Sequence, residues 1–410
     1  MENLGKSIIH VFIIGSKGIP ARYGGFETFV ENLTVNKKSP NIIYHVSCMD
    51  NNERHFEYKG VNCFSVRVPI NSAFGRFLHM DLVLKEIEQW IKKHPSEKVV
   101  IYILGCRVGP LLIPHAKKLH RAHALIYCNP DGLEWKRSKW NAVEKRFLRY
   151  CEKCLVENSD LAICDSVNIQ KYIRNTYGNR VKETTYIAYG AYVQKSDCTE
   201  EKIQEWYHKH HLAKDQYLIV GRFVPENNYE TMIREFMQSS TKRDLVIITN
   251  ARKDKFYEDL VEKTRFDKDS CIKFVGTVYD QQLLKRIREE AHGYLHGHEV
   301  GGTNPSLLEA LASTKVNLLL DVGFNREVGR NSALYWTKEH GSLATLLEKV
   351  DTLDNEQIEK LDVMSLKRIQ EGYNWENICS QYEKIFAIEK RKDEDITCFD
   401  GAASISDRRA

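Results

Sequence analysis

Residues 293–311 read Gly293-Tyr-Leu-His296-Gly-His298-Glu299-Val-Gly301-Gly302-Thr303-Asn304-Pro305-Ser306-Leu-Leu-Glu309-Ala-Leu311. A short apolar run, Gly293–His296, leads into a glycine pair and then into a segment of helical period. That is the order of a buried parallel strand, a loop and a helix. Asn304 stands where an N-cap belongs and Pro305 at the first helical position. Gly301, Gly302 and Thr303 just before it present free N–H groups at the sheet edge, a cradle suited to a phosphate. Glu309 follows a turn and a half into the helix, where a carboxylate can accept hydrogen bonds from ribose hydroxyls. A purely structural glycine loop would not need two histidines and two acids around it.

The same alternation extends on both sides. Apolar runs that read as buried parallel strands are Ile8–Ile14, Ile42–Ser47, Val99–Leu104, Ala124–Cys128 and Leu161–Cys164, with helical patterns such as Thr28–Leu33 and Leu82–Lys92 between them. The rhythm pauses after Ile187. A polar stretch runs from Lys195 to about Lys214, with a helical segment around Ile203–His208. It then restarts with Tyr217–Val220, Leu245–Thr249, Ile272–Val275, Gly293–His296 and Val316–Leu320. Two alternating halves imply an α/β protein with two doubly wound Rossmann-like domains facing across a cleft. The expected boundaries are residues 1–192 and 193–367, with closing helices over about 368–390 and a disordered tail over 391–410.

Composition narrows the class further. A chain of 410 residues exceeds one comfortable core, and 42% apolar with 28% charged residues is ordinary for a folded soluble protein. A net charge of +4 is too small to mark a nucleic-acid binder. The eleven cysteines have no framework spacing, and Cys151 and Cys154 lack a second Cys/His pair, so free thiols and no metal site are expected. The run Ile8–Ile14 is too short for a signal peptide, and no stretch approaches the ~20 apolar residues of a membrane span. A cytoplasmic protein, at most peripheral to a membrane, is expected.

Ligands of doubly wound sheets bind at the carboxyl ends of the strands, which directs attention to three further loops. The first runs from Gly15 to Glu27 and places Gly24-Gly25 before a helix, with Lys17 and Arg22 on the way. Glycines there allow close approach of a bound group, or simply serve a turn. No G-x-G-x-x-G is present, so the dinucleotide fingerprint is missing and Asp50 is a plain strand-end acid. The second, Asn129-Pro-Asp131-Gly132-Leu-Glu134-Trp135-Lys136-Arg137-Ser-Lys139-Trp140, gathers acids, cations and tryptophans as a phosphorylated sugar would require. Asp131, just past its strand, is the functional candidate. The third, Gly221-Arg222-Phe-Val-Pro225-Glu226-Asn227-Asn228, sets an arginine fork where phosphate oxygens can be gripped.

Together these segments resemble the large family 4 of retaining glycosyltransferases, built from two Rossmann-like domains in the GT-B arrangement. The glycine pair in the first loop, Arg222 after the second domain's first strand and the loop-plus-helix carrying Glu309 come in that family's order. The closing stretch Tyr373–Phe386 resembles its returning helices. The strings Lys17-Gly-Ile-Pro-Ala-Arg-Tyr-Gly-Gly-Phe-Glu-Thr, Asp131-Gly-Leu-Glu-Trp-Lys-Arg and Val300-Gly-Gly-Thr-Asn-Pro-Ser-Leu-Leu-Glu are similar, more narrowly, to rhamnosyltransferases of streptococcal capsule and cell-wall assembly.

That narrower resemblance implies a metal-independent, cofactor-free β-1,4-rhamnosyltransferase. Its donor would be dTDP-β-L-rhamnose and its acceptor a glucose or N-acetylglucosamine on undecaprenyl pyrophosphate, at the cytoplasmic face of the plasma membrane. It implies Asp131, Arg222, His298 and Glu299 as catalytic residues. Gly24, Gly25, Asn227, Thr277, Gly301, Gly302, Thr303, Asn304 and Glu309, with Arg222, would hold the donor. Arg22, Glu134, Trp135, Lys136, Arg137 and Lys139 would meet the acceptor. Two departures stand out. The family's lysine, five residues after the arginine, is Asn227 here, leaving the diphosphate to Arg222, backbone N–H groups and Lys17 or Arg252. The first of its paired glutamates falls on Gly301, so His298 or the displaced Glu299 would supply the sugar contact. An NAD(P)-dependent oxidoreductase and a non-catalytic nucleotide-sugar-binding subunit are the rival expectations.

Overall fold

A computed structural model of the chain describes residues 7–21, 24–68 and 73–388. The run Ile-His-Val-Phe-Ile-Ile forms β1 (Ile9–Ile14) and is buried on both faces, as a central parallel strand must be. Around it lie β2 (Ile42–Ser47), β3 (Arg54–Tyr58), β4 (Val61–Ser65), β5 (Lys98–Leu104), β6 (Leu125–Asn129), β7 (Leu161–Cys164) and β8 (Thr184–Tyr186). They form one sheet in the order β3-β4-β2-β1-β5-β6-β7-β8, parallel except for the β3–β4 hairpin. The helices of this half are α1 (Gly25–Val35), α2 (Ala73–Lys93), α3 (Gly109–Arg121), α4 (Ala142–Glu157) and α5 (Val167–Tyr177).

The second sheet has the order β11-β10-β9-β12-β13-β14 and is parallel throughout. Its strands are β9 (Tyr217–Val220), β10 (Leu245–Ile248), β11 (Ile272–Gly276), β12 (Gly293–His296), β13 (Asn317–Leu320) and β14 (Leu334–Trp336). Its helices are α6 (Glu200–His210), α7 (Tyr229–Gln238), α8 (Lys255–Thr264), α9 (Gln281–Glu289), α10 (Pro305–Leu311), α11 (Gly323–Gly329) and α12 (Ser342–Asp351). The chain closes with α13 (Asn355–Gly372) and α14 (Trp375–Phe386). Asn304 caps α10 by accepting from the Ser306 N–H, with Pro305 at its start, as the sequence requires. α10 has only seven residues, so its dipole adds little and loop backbone and side chains must do most of any anion binding.

α14 returns to the first domain. Phe386 lies 6.2 Å from the Tyr44 ring and 5.8 Å from Tyr102, and the Tyr102 and Tyr382 hydroxyls are hydrogen-bonded. One continuous apolar cluster joins these residues to Leu307, Leu308 and Leu311 of α10, so the two domains share a hydrophobic seam. Strands β3, β4, β8 and β14 carry no apolar run in the sequence. β3 is largely solvent-facing and turns into β4 through Lys59-Gly60, both at positive φ. The expected tail, 391–410, lies outside the described residues, and no described helix is long and apolar enough to cross a membrane.

Candidate active site

In each sheet the order reverses beside the first strand, β1 between β2 and β5 and β9 between β10 and β12. Loops leaving adjacent strands part there in opposite directions and open a crevice. The loops after β1, β6, β9 and β12 are those singled out in the sequence, and they line one cavity of about 970 Å³ between the domains. Gly24, Gly25, Asp131, Arg222, Asn227, Thr277, His298, Gly301, Gly302, Thr303, Asn304 and Glu309 all face it. Arg22 lies outside the described residues.

On the second domain's side Arg222 is exposed to the cavity and has no ion-pair partner among the described residues. Asn227, at the position of the family's lysine, is a brace. Its Nδ2 donates to the Arg222 carbonyl at 2.7 Å, and its Oδ1 accepts from His298 Nδ1 at 2.7 Å. That bond leaves His298 Nε2 as a lone-pair acceptor beside Gly301. Burial, then His296, Arg222 and Arg137, hold the His298 imidazole well below its ordinary pKa, and burial brings His296 down to about 3. Both rings are neutral in the resting protein.

Glu309 is oriented from behind. Arg288 of α9 reaches it at 2.7 Å, and the Ser306 and Tyr294 hydroxyls share a 2.9 Å bond next to this pair. Arg288 is the cation that sequence reasoning missed. It lines the cavity from the last turn of α9, in a run of charges indistinguishable from a solvated face. Of the cations expected to replace the lysine, Lys17 reaches the cavity and Arg252 does not.

Glu299 is a correction. His298 and Val300 line the cavity, whereas Glu299 lies outside its lining. There it pairs with Lys338 while its N–H donates to the Glu226 carbonyl at 3.1 Å.

On the first domain's side the loop after β6 is strained, with Asp131 at φ 69° and Leu133 at φ 57°. Asp131 is half-buried, and the loss of solvent, with the nearby Glu134, raises its pKa, while Arg137 and Arg222 oppose the shift. Glu134 holds a knot of cations. Arg137 Nε lies 2.5 Å, Lys139 Nζ 3.0 Å and Arg107 Nη2 3.1 Å from it, and Trp140 Nε1 donates to it at 3.2 Å. Burial alone would raise its pKa, but Arg137, Lys139 and Arg107 outweigh that and hold it below the usual value. Three cations against one carboxylate leave a positive wall on the cavity.

Two members of the expected acceptor set lie elsewhere. Trp135 packs into the domain core, with the Arg149 guanidinium 4.6 Å and Lys136 Nζ 5.5 Å from its ring, and neither Trp135 nor Lys136 lines the cavity. In the tight helical turn at Glu134–Lys136 residues three apart share a face, so Glu134 and Arg137 meet the cavity while Trp135 and Lys136 point elsewhere.

The two walls touch. A Cβ on Gly132 would lie 2.5 Å from Gly301 Cα, the Ser138 N–H donates to Glu226 Oε1 at 2.8 Å, and the Thr303 hydroxyl donates to the Asp165 carbonyl. Glu327 of α11 accepts from the Val167 N–H at 2.9 Å at the start of α5. Among the described residues no cluster of three or more His, Cys, Asp or Glu is arranged to hold a metal, and the cysteines are free.

Comparison with known proteins matches this arrangement. Residues 8–192 match a family model described as a domain of unknown function, DUF1972. No curated protein sequence matches. Sucrose-phosphate synthase from Thermosynechococcus elongatus superimposes with a TM-score of 0.74 at 16% identity, covering 92% of this chain and 98% of its own. Anabaena HepE, solved with UDP and glucose, gives 0.70 at 14%, covering 93% and 99%. An α,α-trehalose-phosphate synthase (UDP-forming) from Burkholderia xenovorans, in complex with glucose-6-phosphate, gives 0.67 at 13%, covering 93% and 100%. At these identities the likeness establishes the fold: two Rossmann-like domains facing across a cleft, the GT-B architecture of glycosyltransferases.

Proposed function

We propose that the chain is a nucleotide-sugar-dependent glycosyltransferase that moves a deoxyhexose, L-rhamnose from dTDP-β-L-rhamnose, onto a sugar carried by a lipid pyrophosphate. The observation that carries the reading is Arg222, which has no ion-pair partner among the described residues, in a cavity that also holds Gly301–Asn304 and the Arg288-braced Glu309. An anion recruited there meets Arg222 and backbone N–H groups, and Glu309 takes a nucleoside hydroxyl, which in thymidine is the 3′-hydroxyl. HepE, solved with UDP and glucose, sets a precedent in this fold for such a donor.

In the reaction, the bond from the anomeric carbon to the β-phosphate oxygen breaks and the acceptor oxygen bonds to that carbon. The acceptor's proton passes to the leaving phosphate, with retention and without a metal. Arg222 and the loop N–H groups stabilise the charge that builds on the diphosphate. Asp131 faces the transferred sugar and the acceptor. The surplus positive charge of Arg107, Arg137 and Lys139 meets the acceptor's pyrophosphate.

The lipid part of the reading has its own support. On α4, Val143, Phe147 and Tyr150 are 79%, 52% and 50% exposed at helical spacing, flanked by exposed Arg146, Arg149 and Lys153. Phe147 and the exposed Phe77 also line the cavity mouth, so this stripe continues into the site. An apolar stripe with cations beside it suits the interface of an anionic membrane, peripheral to its cytoplasmic face, and a polyprenyl chain leaving the cavity.

A thermal-shift screen of dTDP-, UDP- and GDP-sugars, followed by turnover of the best donor on lipid-linked glucose and N-acetylglucosamine, tests the reading. dTDP-rhamnose is expected to stabilise most and to be consumed in the presence of EDTA. Stabilisation by none of the nucleotide sugars refutes it, and binding without transfer reduces the chain to a binding subunit. Phe147→Glu is expected to abolish flotation with anionic vesicles while sparing hydrolysis of the donor.

A further inference from the structure

Asp165 follows β7 and is only 4% exposed, yet it lines the cavity and, among the described residues, its Oδ1 has no hydrogen-bond partner. The position is set from both domains. The Thr303 hydroxyl donates to the Asp165 main-chain carbonyl, and a Cβ on Gly302 would collide with Oδ1. The carboxyl group of one domain therefore lies against the loop of the other that is read here as meeting the diphosphate.

The charged groups that bear most on it are acids, Asp131 from the loop after β6 and Glu327 from α11, and the Tyr189 and Tyr382 hydroxyls lie close by. Burial, then Asp131 and Glu327, push the carboxyl up to about 8, with Tyr189 pulling the other way. At neutral pH the group is thus mostly the acid, with an O–H to give. A carboxylate there would repel a diphosphate, whereas the acid can bond to it.

We propose that the Asp165 carboxyl group, held against the Gly302 backbone, is a binding residue that donates a hydrogen bond to the diphosphate of the donor. This rests on the nucleotide-sugar reading above. It assigns to the first domain a direct hold on a ligand gripped chiefly by the second. Docking of the nucleotide and apposition of the two domains then become one event.

The test is calorimetric binding of dTDP and UDP between pH 6.5 and 9.5, to the wild type and to Asp165→Asn. Ionisation removes the donor, so wild-type affinity is expected to hold below pH 8 and fall by about tenfold per unit above it. The amide of Asp165→Asn still donates, so its affinity at pH 6.5 should stay within about threefold of wild type and lose the alkaline fall. His296 and His298 are already neutral over this range and add no slope. A flat wild-type profile, or an alkaline fall that survives in Asp165→Asn, overturns the role of Asp165 while leaving nucleotide binding intact. Absence of nucleotide binding at every pH overturns the donor site itself. Thermal unfolding of the variant at pH 7, expected to be no lower than wild type, separates either result from misfolding.

Discussion

Replacing Glu309 by Gln strands a buried cation, and its cost can be worked from the geometry. Arg288 is 3% exposed and Glu309 33%, with 2.7 Å between Nη2 and Oε2. The remaining partners of Arg288 are poor: Ser306 Oγ lies 3.4 Å from Nη2, and Nε has no partner. Removing one member of a fully buried pair costs about 3–5 kcal/mol. Because a third of Glu309 is open, water can reach the vacated space, which lowers the figure to about 2 kcal/mol. In a domain of this size each 1 kcal/mol moves Tm by about 2–4 °C, so Glu309→Gln is expected to lower the second domain's transition by about 4–8 °C. Adding Arg288→Met removes the stranded charge and should recover at least half of the loss. Scanning calorimetry of the two single variants and the double closes the cycle. An unchanged Tm in Glu309→Gln, or losses that simply add in the double variant, would refute the claim that Arg288 and Glu309 act as a unit.

Three other outcomes follow from the same structure. Arg222→Ala removes a side chain with no ion pair, so Tm should move by less than about 1 °C while donor affinity falls roughly ten- to a hundredfold, the worth of charge-assisted bonds; equal loss of both would make Arg222 a structural residue. Gly302→Ala drives a methyl group into Asp165 Oδ1, and about 1–3 kcal/mol of destabilisation in urea unfolding, together with loss of turnover, is expected. Burial, then His10 and His94, bring His45 down to about 4 from 6.5, so the unfolded chain takes up a proton first as pH falls. His45 contributes about 3 kcal/mol to the stability lost as pH falls from 6.5 to 4, beside the parts due to His296 and His298, and the fall should be shallower by about that amount in His45→Leu.

The strands that residue pattern made visible are those buried on both faces. Ile42–Ser47, Leu161–Cys164, Tyr217–Val220 and Gly293–His296 keep the bounds their apolar runs imply, because two covering layers leave no polar position to interrupt them. β3 escaped because one sheet edge faces water, and β8 and β14 because three residues carry no period. The loops were visible for a related reason. Each follows a buried strand, and glycine or proline punctuates the point where the chain must turn close to another backbone, as Gly132 does against Gly301.

What composition and spacing could not supply is the partner that the fold brings in from elsewhere in the chain. Glu134 looks like one acid among neighbouring cations, yet the fold brings Arg107 from the far end of β5 to it and makes the cluster a single charged wall. Asn227 looks like the loss of a cation, but its bonds to the Arg222 carbonyl and to His298 make it a strut of the loop that carries Arg222. Asp165 stands beside a serine N-cap like many strand-end acids, and only the approach of Gly302 from 137 residues away turns it into a buried acid with an unused oxygen. The charged wall and the braced Arg222 loop are each built inside one domain, but Asp165 gains its chemistry from a contact between domains. Most pieces of the site can therefore be named one domain at a time, whereas the charge state of Asp165 exists only when the two sheets face each other.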